Sequence, residues 1–257
     1  MTSERKTAIV TGGLSGMGLA IARRLAKDGI NVFVGTRRAG DKAYVRDVLG
    51  ADAVRIQAAA LDVQTRDSVD AFVARIVAEC GGVDILVNAA GVYEEAALID
   101  HPDQIWEDQI DINLSGTFRM IRAVMPHMTK AGWGRIINIA SVAAHNGMAN
   151  NAAYCASKAG LLGLGRCVSL EGAANGVTCV SISPTWVETE MLRRFIDADI
   201  NATGQTLEQV RAEYAKSNPQ NQLVQPVEVA ELAAFLASDA ARALTMADYQ
   251  INAGSLW

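Results

Sequence analysis

The cysteines of this sequence lack the spacing of a metal site or a disulfide framework. There are four in 257 residues, with no Cys-x-x-Cys pair and no cluster of histidines near any of them. This spacing argues against structural zinc and against the disulfides of small secreted domains. We expect four buried, apolar thiols in a reduced, cytoplasmic protein that binds no metal. The four are Cys80, Cys155, Cys167 and Cys179.

Long apolar runs and a basic excess are also missing. No run reaches the roughly 18 apolar residues that a membrane-spanning helix requires. The first ten residues, MTSERKTAIV, have neither the apolar region nor the cleavage site of a signal peptide. The formal net charge is −5, whereas a nucleic-acid surface needs a basic face. The composition therefore predicts neither a nucleic-acid partner nor a membrane partner.

What the sequence does contain is an alternation of short apolar runs with longer amphipathic runs. This pattern is typical of a parallel sheet with helices on both faces. No linker, repeat or low-complexity tract divides the chain, so we predict one doubly wound α/β domain over residues 1–257. Strands are predicted at residues 7–11, 31–35, 54–58, 84–88, 134–140, 177–183 and 249–252. Helices are predicted at residues 16–28, 41–49, 66–80, 103–130, 152–174 and 226–238.

A glycine-rich segment, TGGLSGMG, joins the first predicted strand to the first predicted helix at residues 11–18. Its glycines permit a sharp turn and a close approach of backbone to a pyrophosphate. They also leave N–H groups at a helix N-terminus, where the helix dipole favours anions. A tight turn alone would explain a glycine cluster, but a strand before it and a helix after it are the context of a dinucleotide site.

Residues 138–158 have the side chains of a carbonyl-reduction site. Ser141 follows an apolar strand, and Tyr154 precedes Lys158 by four residues, so a helix places the phenol and the ammonium on one face. A crowded ammonium favours the phenolate, which makes tyrosine a usable acid or base. Ser141 is then placed to bind the same substrate oxygen. Because this Tyr-Lys spacing also arises by chance on surface helices, the interpretation depends on the other motifs.

The order of these motifs resembles that of the short-chain dehydrogenase/reductase family across nearly the whole chain. The resemblance implies a Rossmann-type sheet, a nicotinamide dinucleotide and an Asn-Ser-Tyr-Lys site. The implied catalytic residues are Asn113, Ser141, Tyr154 and Lys158. The implied cofactor contacts are Gly12, Leu14, Ser15, Gly16, Met17, Gly18, Thr36, Arg37, Arg38, Asp62, Val63, Asn88, Ala90, Gly91, Tyr154, Lys158, Pro184, Val187 and Thr189.

The end of the second strand bears on the choice of cofactor. NAD enzymes carry an acidic residue there for the ribose 2′-hydroxyl, but this sequence reads Thr36-Arg37-Arg38. Guanidinium groups bind a 2′-phosphate through paired hydrogen bonds, so NADP(H) is predicted. A solvated basic turn is the alternative, and Leu14 stands where many NADP-using relatives have a second basic residue.

One departure from the family pattern lies beside the expected nicotinamide position. Relatives have Pro-Gly where this chain has Pro184-Thr185. Glycine adopts backbone angles that threonine reaches only with strain, so the sequence predicts altered geometry there. A two-helix lid is predicted over residues 187–223. Substrate-pocket candidates are Tyr93, His145, Asn146, Met148 and Trp186.

The resemblance implies an NADPH-dependent ketoreductase. Tyr154 would give the proton, Ser141 would polarise the carbonyl, Lys158 would bind the nicotinamide ribose, and Asn113 would hold a water. Stretches such as VFVGTRR and QPVEVAEL look like those of reductases of aromatic polyketides, which suggests a small-molecule, polycyclic ketone as substrate. The alternatives are a 3-oxoacyl carrier-protein reductase with an acyl carrier protein as partner, an NAD-dependent alcohol dehydrogenase, and a non-enzymatic NADP-binding regulator. Relatives assemble as tetramers, so a homotetramer or a dimer is expected.

Overall fold

Seven parallel strands form one sheet in the computed structural model, which describes residues 5–255. The remaining residues of the predicted domain, 1–4 and 256–257, lie outside this description. The strands are β1 (Thr7–Thr11), β2 (Asn31–Thr36), β3 (Ile56–Ala60), β4 (Ile85–Asn88), β5 (Gly134–Ile139), β6 (Val177–Pro184) and β7 (Asp248–Ile251). Their order across the sheet is β3-β2-β1-β4-β5-β6-β7.

Helices cover both faces of this sheet. They are α1 (Gly16–Lys27), α2 (Lys42–Leu49), α3 (Arg66–Cys80), α4 (Asp103–Ile110), α5 (Gly116–Ala131), α6 (Ala152–Gly172), α7 (Glu190–Thr203), α8 (Leu207–Lys216) and α9 (Pro226–Leu236). Side chains alternate along the strands, so each face buries its own core. In β1, for example, Ala8 and Val10 pack with α1 and α9, and Ile9 packs with α3 and α5. The predicted doubly wound α/β fold is confirmed.

Two predicted elements differ from the structure. The third strand begins at Ile56 rather than at residue 54, because Gly50–Val54 forms a 3-10 turn that leaves Val54 90% exposed. The long helix predicted over 103–130 is also interrupted. A π-helical turn, Asp111–Ser115, separates α4 from α5 and turns Asn113 into the interior, where it is 1% exposed.

Burial is predicted wrongly for three of the four cysteines. All four are free thiols, but Cys80 and Cys167 are exposed, Cys155 is half-buried, and only Cys179 is buried. Cys80 is the last residue of α3, and Cys167 lies on a solvent-facing side of α6. Within residues 5–255, no group of three or more His, Cys, Asp or Glu side chains is arranged to hold a metal ion. No helix in this range is long and apolar enough to span a membrane.

The strand order reverses between β1 and β4, and this point is where parallel α/β sheets bind ligands. The Thr11 hydroxyl, at the end of β1, accepts hydrogen bonds from the N–H groups of Ala89 (3.1 Å) and Ala90 (3.0 Å) beyond β4. Gly12 follows with a left-handed φ of +66°, and a Cβ on it would lie 3.0 Å from the Cα of Ala90. The backbone crevice therefore depends on a residue without a side chain.

Gly18 allows the start of α1 to pack against the same loop. A Cβ on this residue would lie 2.5 Å from the carbonyl oxygen of Gly12. We expect Gly18→Ala to lower the free energy of unfolding by about 1–3 kcal/mol, because the displaced atoms are backbone. The control is Gly82→Ala, where a Cβ meets nothing within 4 Å. Urea denaturation measures the free energy of unfolding of both variants. Equal stability of the two would contradict this account.

Candidate active site

Ser141, Tyr154 and Lys158 are brought together at the carboxyl end of β5. Ser141 lies two residues beyond the end of β5 and accepts a hydrogen bond from the N–H of Ala143 (3.1 Å), which fixes its Oγ and leaves its hydroxyl hydrogen available. Tyr154 and Lys158 lie in the first two turns of α6, which begins at Ala152. Their four-residue spacing places both side chains on the face that meets Ser141.

Lys158 is buried, with 5% of its surface exposed. Its Nζ donates a 2.8 Å hydrogen bond to the carbonyl oxygen of Ile139 and lies 5.6 Å from the centroid of the Tyr154 ring. Burial disfavours the charged ammonium and lowers the pKa of Lys158 from 10.5 to about 8.

The pKa of Tyr154 is raised from 10.0 to about 12, because burial disfavours the phenolate. Interaction with the Ser141 hydroxyl opposes this shift but is the weaker effect. From the sequence, the nearby lysine is expected to lower the pKa of Tyr154, which is the opposite direction. In the protein itself Tyr154 is a neutral phenol at ordinary pH, and a neutral phenol is the form that donates a proton.

Asn113 holds the main chain of the loop after β4. Its Oδ1 accepts from the N–H of Val92 (2.8 Å), and its Nδ2 donates to the carbonyl oxygen of Val92 (2.9 Å) and to Ser157 Oγ (3.1 Å). A Cβ on Gly91 would lie 3.2 Å from Asn113 Oδ1 and 3.7 Å from Lys158 Nζ. Gly91 thus keeps open the space between the asparagine and the lysine.

A cavity of about 220 Å³ extends from the glycine loop along the ends of β1 and β2. Ten of the predicted cofactor contacts line it: Gly12, Leu14, Ser15, Thr36, Arg37, Arg38, Asp62, Val63, Ala90 and Gly91. Ser15 makes no side-chain cap on α1, so the first N–H groups of the helix remain available to a phosphate. The cleft and its donors fit a dinucleotide.

The remaining predicted contacts lie outside the lining of this cavity. Asn88 is the last residue of β4, and its Nδ2 donates to Asn138 Oδ1 (2.9 Å). Gly16 faces Thr189, since a Cβ on Gly16 would lie 3.3 Å from the Thr189 methyl. Gly18 is buried in α1. Met17, Pro184, Val187 and Thr189 line the neighbouring cavity that contains Ser141 and Tyr154.

Arg37 and Arg38 differ in their surroundings. Arg38 donates to Asp41 (3.2 Å) and stacks over Tyr44, with its guanidinium carbon 3.4 Å from the ring centroid. Arg37 is exposed and has no ion-pair or hydrogen-bond partner among residues 5–255. Arg37 is therefore the guanidinium that a ligand phosphate meets without displacing another contact.

Thr185 occupies the family glycine position without a left-handed φ. Its hydroxyl donates to Asn218 Oδ1 (2.9 Å), and the same oxygen accepts from Ser255 Oγ (2.5 Å). Asn218 is fully buried, and its Nδ2 donates to the carbonyl oxygen of Gln222 (2.7 Å). The altered geometry expected at this position is thus not backbone strain. It is an added link to the segment that follows α8.

The cavity beside Ser141 and Tyr154 has a volume of about 120 Å³ and mainly apolar walls. The predicted Tyr93, Met148 and Trp186 line it. It also contains residues of α7 that the sequence analysis did not name, Met191, Leu192 and Phe195. Their i, i+1 and i+4 spacing on an amphipathic helix is a signal of an apolar face, but nothing in the sequence shows which surface that face covers.

His145 and Asn146 do not line this cavity. His145 turns instead toward β7, where its Nε2 lies 2.6 Å from Asp248 Oδ2. The other oxygen of Asp248 accepts from Ser183 Oγ (2.7 Å). The pairing with Asp248 draws the imidazole away from the predicted pocket, and Asn146 lies exposed on the same loop.

Residues 6–199 match the short chain dehydrogenase family. The chain belongs to this family. It is 38% identical over 245 residues to a ketoacyl reductase of the monensin polyketide synthase from Streptomyces virginiae, covering 95% of this chain and 94% of that one. It is 36% identical over 250 residues to the D-beta-hydroxybutyrate dehydrogenase of Cupriavidus necator, covering 97% of both.

Other similarities extend to an acyl-carrier-protein reductase and to a solved structure. Identity to the 3-oxoacyl-acyl-carrier-protein reductase of Escherichia coli is 37% over 255 residues, covering 99% of this chain and 98% of that one. An actinorhodin polyketide ketoreductase with NADPH superposes with a TM-score of 0.91 at 35% identity, covering 98% of both chains. As a short-chain dehydrogenase, the protein is an oxidoreductase that acts on CH–OH or C=O groups with a nicotinamide cofactor.

The buried lysine should make stability depend on pH in a defined window. Since the pKa of Lys158 is lower folded (about 8) than unfolded (10.5), between pH 8 and 10 the unfolded chain binds a proton that the folded chain has lost. The free energy of unfolding of the wild type, relative to that of Lys158→Met, should therefore rise with pH by at most about 1.4 kcal/mol per unit. Urea denaturation at pH 7–10 measures this slope. The exposed Lys216→Met is the control, and a flat difference for Lys158→Met would contradict the assignment.

Proposed function

We propose that this short-chain dehydrogenase is an NADPH-dependent ketoreductase in which Tyr154 is the general acid. The observation that carries the proposal is the pairing of two hydroxyl groups, those of Ser141 and neutral Tyr154, in the wall of an apolar cavity that adjoins the dinucleotide cleft. Both hydroxyls are donors to a single carbonyl oxygen, and an apolar cavity strengthens such bonds.

NADPH supplies the hydride when it is bound. Ser141, fixed by Ala143, donates to the carbonyl oxygen and polarises it, and Tyr154 donates the proton that the oxygen takes up. Lys158 would bind ribose hydroxyls with its ammonium, and this charge stabilises the tyrosinate that remains once the proton has been transferred. Asn113 fixes the loop that borders this space.

The lining of the cavity supports an uncharged substrate. No Lys, Arg or His is among its described lining residues. The hydroxybutyrate dehydrogenase is named for a hydroxy acid, whose oxidised form is a 3-oxo acid. A free 3-oxo acid needs a cation or strong donors for its carboxylate, since burial of an unpaired charge is costly. An aromatic, polyketide-like ketone of the polycyclic class meets instead the rings of Tyr93, Trp186 and Phe195.

A 3-oxoacyl thioester carried by an acyl carrier protein is the second candidate. The same apolar walls accept a neutral acyl chain, and the chain is as similar to the Escherichia coli reductase as to the polyketide enzyme. Reduction of a polycyclic ketone but not of an acyl thioester distinguishes the two.

We further propose a homotetramer or dimer, supported by exposed apolar side chains on three neighbouring helices, Trp106, Phe118 and Leu170.

Cofactor preference tests the role of Arg37. We expect wild-type protein to bind NADPH more tightly than NADH, and Arg37→Ala to weaken NADPH binding by about 10- to 100-fold with little effect on NADH, because a charge-assisted bond to the 2′-phosphate is lost. Cofactor fluorescence titration gives both dissociation constants. Arg46→Ala, on the outer part of α2, is the matched control. Wild-type preference for NADH would instead favour an NAD-dependent alcohol dehydrogenase.

Removal of the Tyr154 hydroxyl tests the chemical assignment. We expect Tyr154→Phe to lower the turnover of a ketone by about 10²- to 10⁴-fold, the usual contribution of a positioned general acid. NADPH affinity should change little, and Tyr249→Phe on β7 should keep normal turnover. Near-normal turnover of the Tyr154→Phe protein would exclude the mechanism. Tight NADPH binding with no turnover of any ketone by the wild type would favour the regulator.

A further inference from the structure

The loop after β4 is fixed by two buried amides spaced four residues apart. Asn113 binds both main-chain groups of Val92. Gln109, the next turn back, does the same to Glu94, accepting from its N–H (3.3 Å) and donating to its carbonyl oxygen (3.0 Å). Both amides are only 1% exposed. Residues 92 and 94 therefore face the helix that carries the amides, and the loop has little freedom to move.

The side chains of Tyr93 and Glu95 consequently lie together on the opposite side of the loop. Tyr93 donates a hydrogen bond of 2.5 Å from its hydroxyl to Glu95 Oε1. A phenol-to-carboxylate bond of this length is charge-assisted and strong. The N–H of Ala96 donates to the carbonyl oxygen of Asn150 (2.9 Å), which ties the far end of the same loop to the loop before α6. Tyr93 is thus held at both its backbone and its hydroxyl.

The ring of Tyr93 stands between the catalytic tyrosine and the lid. It makes an edge-to-face contact with Tyr154 at 4.7 Å between centroids, and a second with Phe195 of α7, also at 4.7 Å. Trp186 continues the row beyond Phe195, with centroids 6.4 Å apart. Tyr93 and Phe195 therefore close one side of the cavity, from the fixed loop and from the lid.

The volume that remains is small. At about 120 Å³ the cavity is comparable to the roughly 150 Å³ that holds one benzene ring in an engineered protein core, so it has room for one ring rather than several. A ketone with rings on both sides of its carbonyl requires Tyr93 and Phe195 to separate. A carbonyl on a terminal ring requires only that ring to enter, with its other rings directed toward the lid.

We propose that Tyr93, held by Glu95, is a specificity-determining residue that restricts this site to ketones whose carbonyl lies on a terminal ring. The proposal rests on the ketoreductase function and narrows its substrate class. Tyr93 is not a competing proton donor, because burial and the bond to Glu95 raise its pKa well above its ordinary value. Its role is to shape the cavity.

Two aryl ketones test the proposal: 1-tetralone, with its carbonyl on a terminal ring, and 9-fluorenone, with rings on both sides. The readout is the ratio of kcat/KM for fluorenone to that for tetralone. We expect Tyr93→Leu to raise this ratio by about tenfold or more, the scale on which hydrophobic pockets discriminate size. Tyr93→Phe and Glu95→Gln keep a ring but loosen it, so a smaller rise is expected. Glu94→Gln, whose carboxylate lacks a partner in residues 5–255, should leave the ratio unchanged.

The binding of both ketones to the NADPH-loaded protein, measured by thermal shift, separates this proposal from the function on which it rests. Turnover with an unchanged ratio in Tyr93→Leu would overturn the role of Tyr93 and leave the reductase intact. An increased fluorenone affinity in Tyr93→Leu, without turnover by the wild type, would support the role of Tyr93 and contradict the reductase. An equal response of Glu94→Gln and Glu95→Gln would show a general charge effect and overturn the proposal.

Discussion

The active-site end of the molecule depends on the pair of hydrogen bonds between the side-chain amide of Asn113 and the main chain of Val92. A buried amide that loses such a partner costs about 1–3 kcal/mol, so this contact fixes the loop after β4 against the helix. The π-helical turn that directs Asn113 inward leaves Gln109 one turn away on the same side, where it holds Glu94. One helix thereby sets the position of Tyr93 and one boundary of the space around Lys158.

Burial sets the protonation of Lys158 and Tyr154. Lys158 is buried and Tyr154 is half-buried in the wall of the cavity, and desolvation moves both toward their neutral forms, lowering the pKa of the lysine and raising that of the tyrosine. The lysine directs its ammonium at the Ile139 carbonyl oxygen rather than at the phenol. The phenol is therefore kept protonated by its surroundings, which is the form that can donate a proton.

Polar contacts link the lid helices, α7 and α8, to the end of β6. One of them comes from Thr185, which stands at the family glycine position. Thr185 bonds to the buried Asn218 beyond α8. Glu188 accepts two hydrogen bonds from Arg211 of α8, at 2.9 and 2.8 Å. These contacts seat the lid helices on β6, which brings Phe195 of α7 against Tyr93. The size of the cavity beside Ser141 and Tyr154 follows from this seating.

Local patterns in the sequence were enough for the sheet and the cofactor cleft. The alternation of apolar runs predicts each strand to within about two residues, since side chains in a parallel sheet must be buried on both faces. The glycines at 12, 16 and 18 mark the crevice, because residues 12 and 16 have a left-handed φ and a Cβ on residue 18 would meet the backbone of residue 12. Patterns of this kind do not show a π-helical turn, whose one extra residue depends on what Asn113 binds across the molecule.

The sequence by itself determined the doubly wound fold, the family, and the chemical types at residues 141, 154 and 158. Only the tertiary structure decided how those groups are charged and what surrounds them. It turned His145 toward Asp248, paired Thr185 with Asn218, and placed Phe195 beside Tyr93. The physical reason is that pKa shifts and cavity shape arise from desolvation and packing between segments far apart in the chain, whereas propensity and spacing act within a few residues.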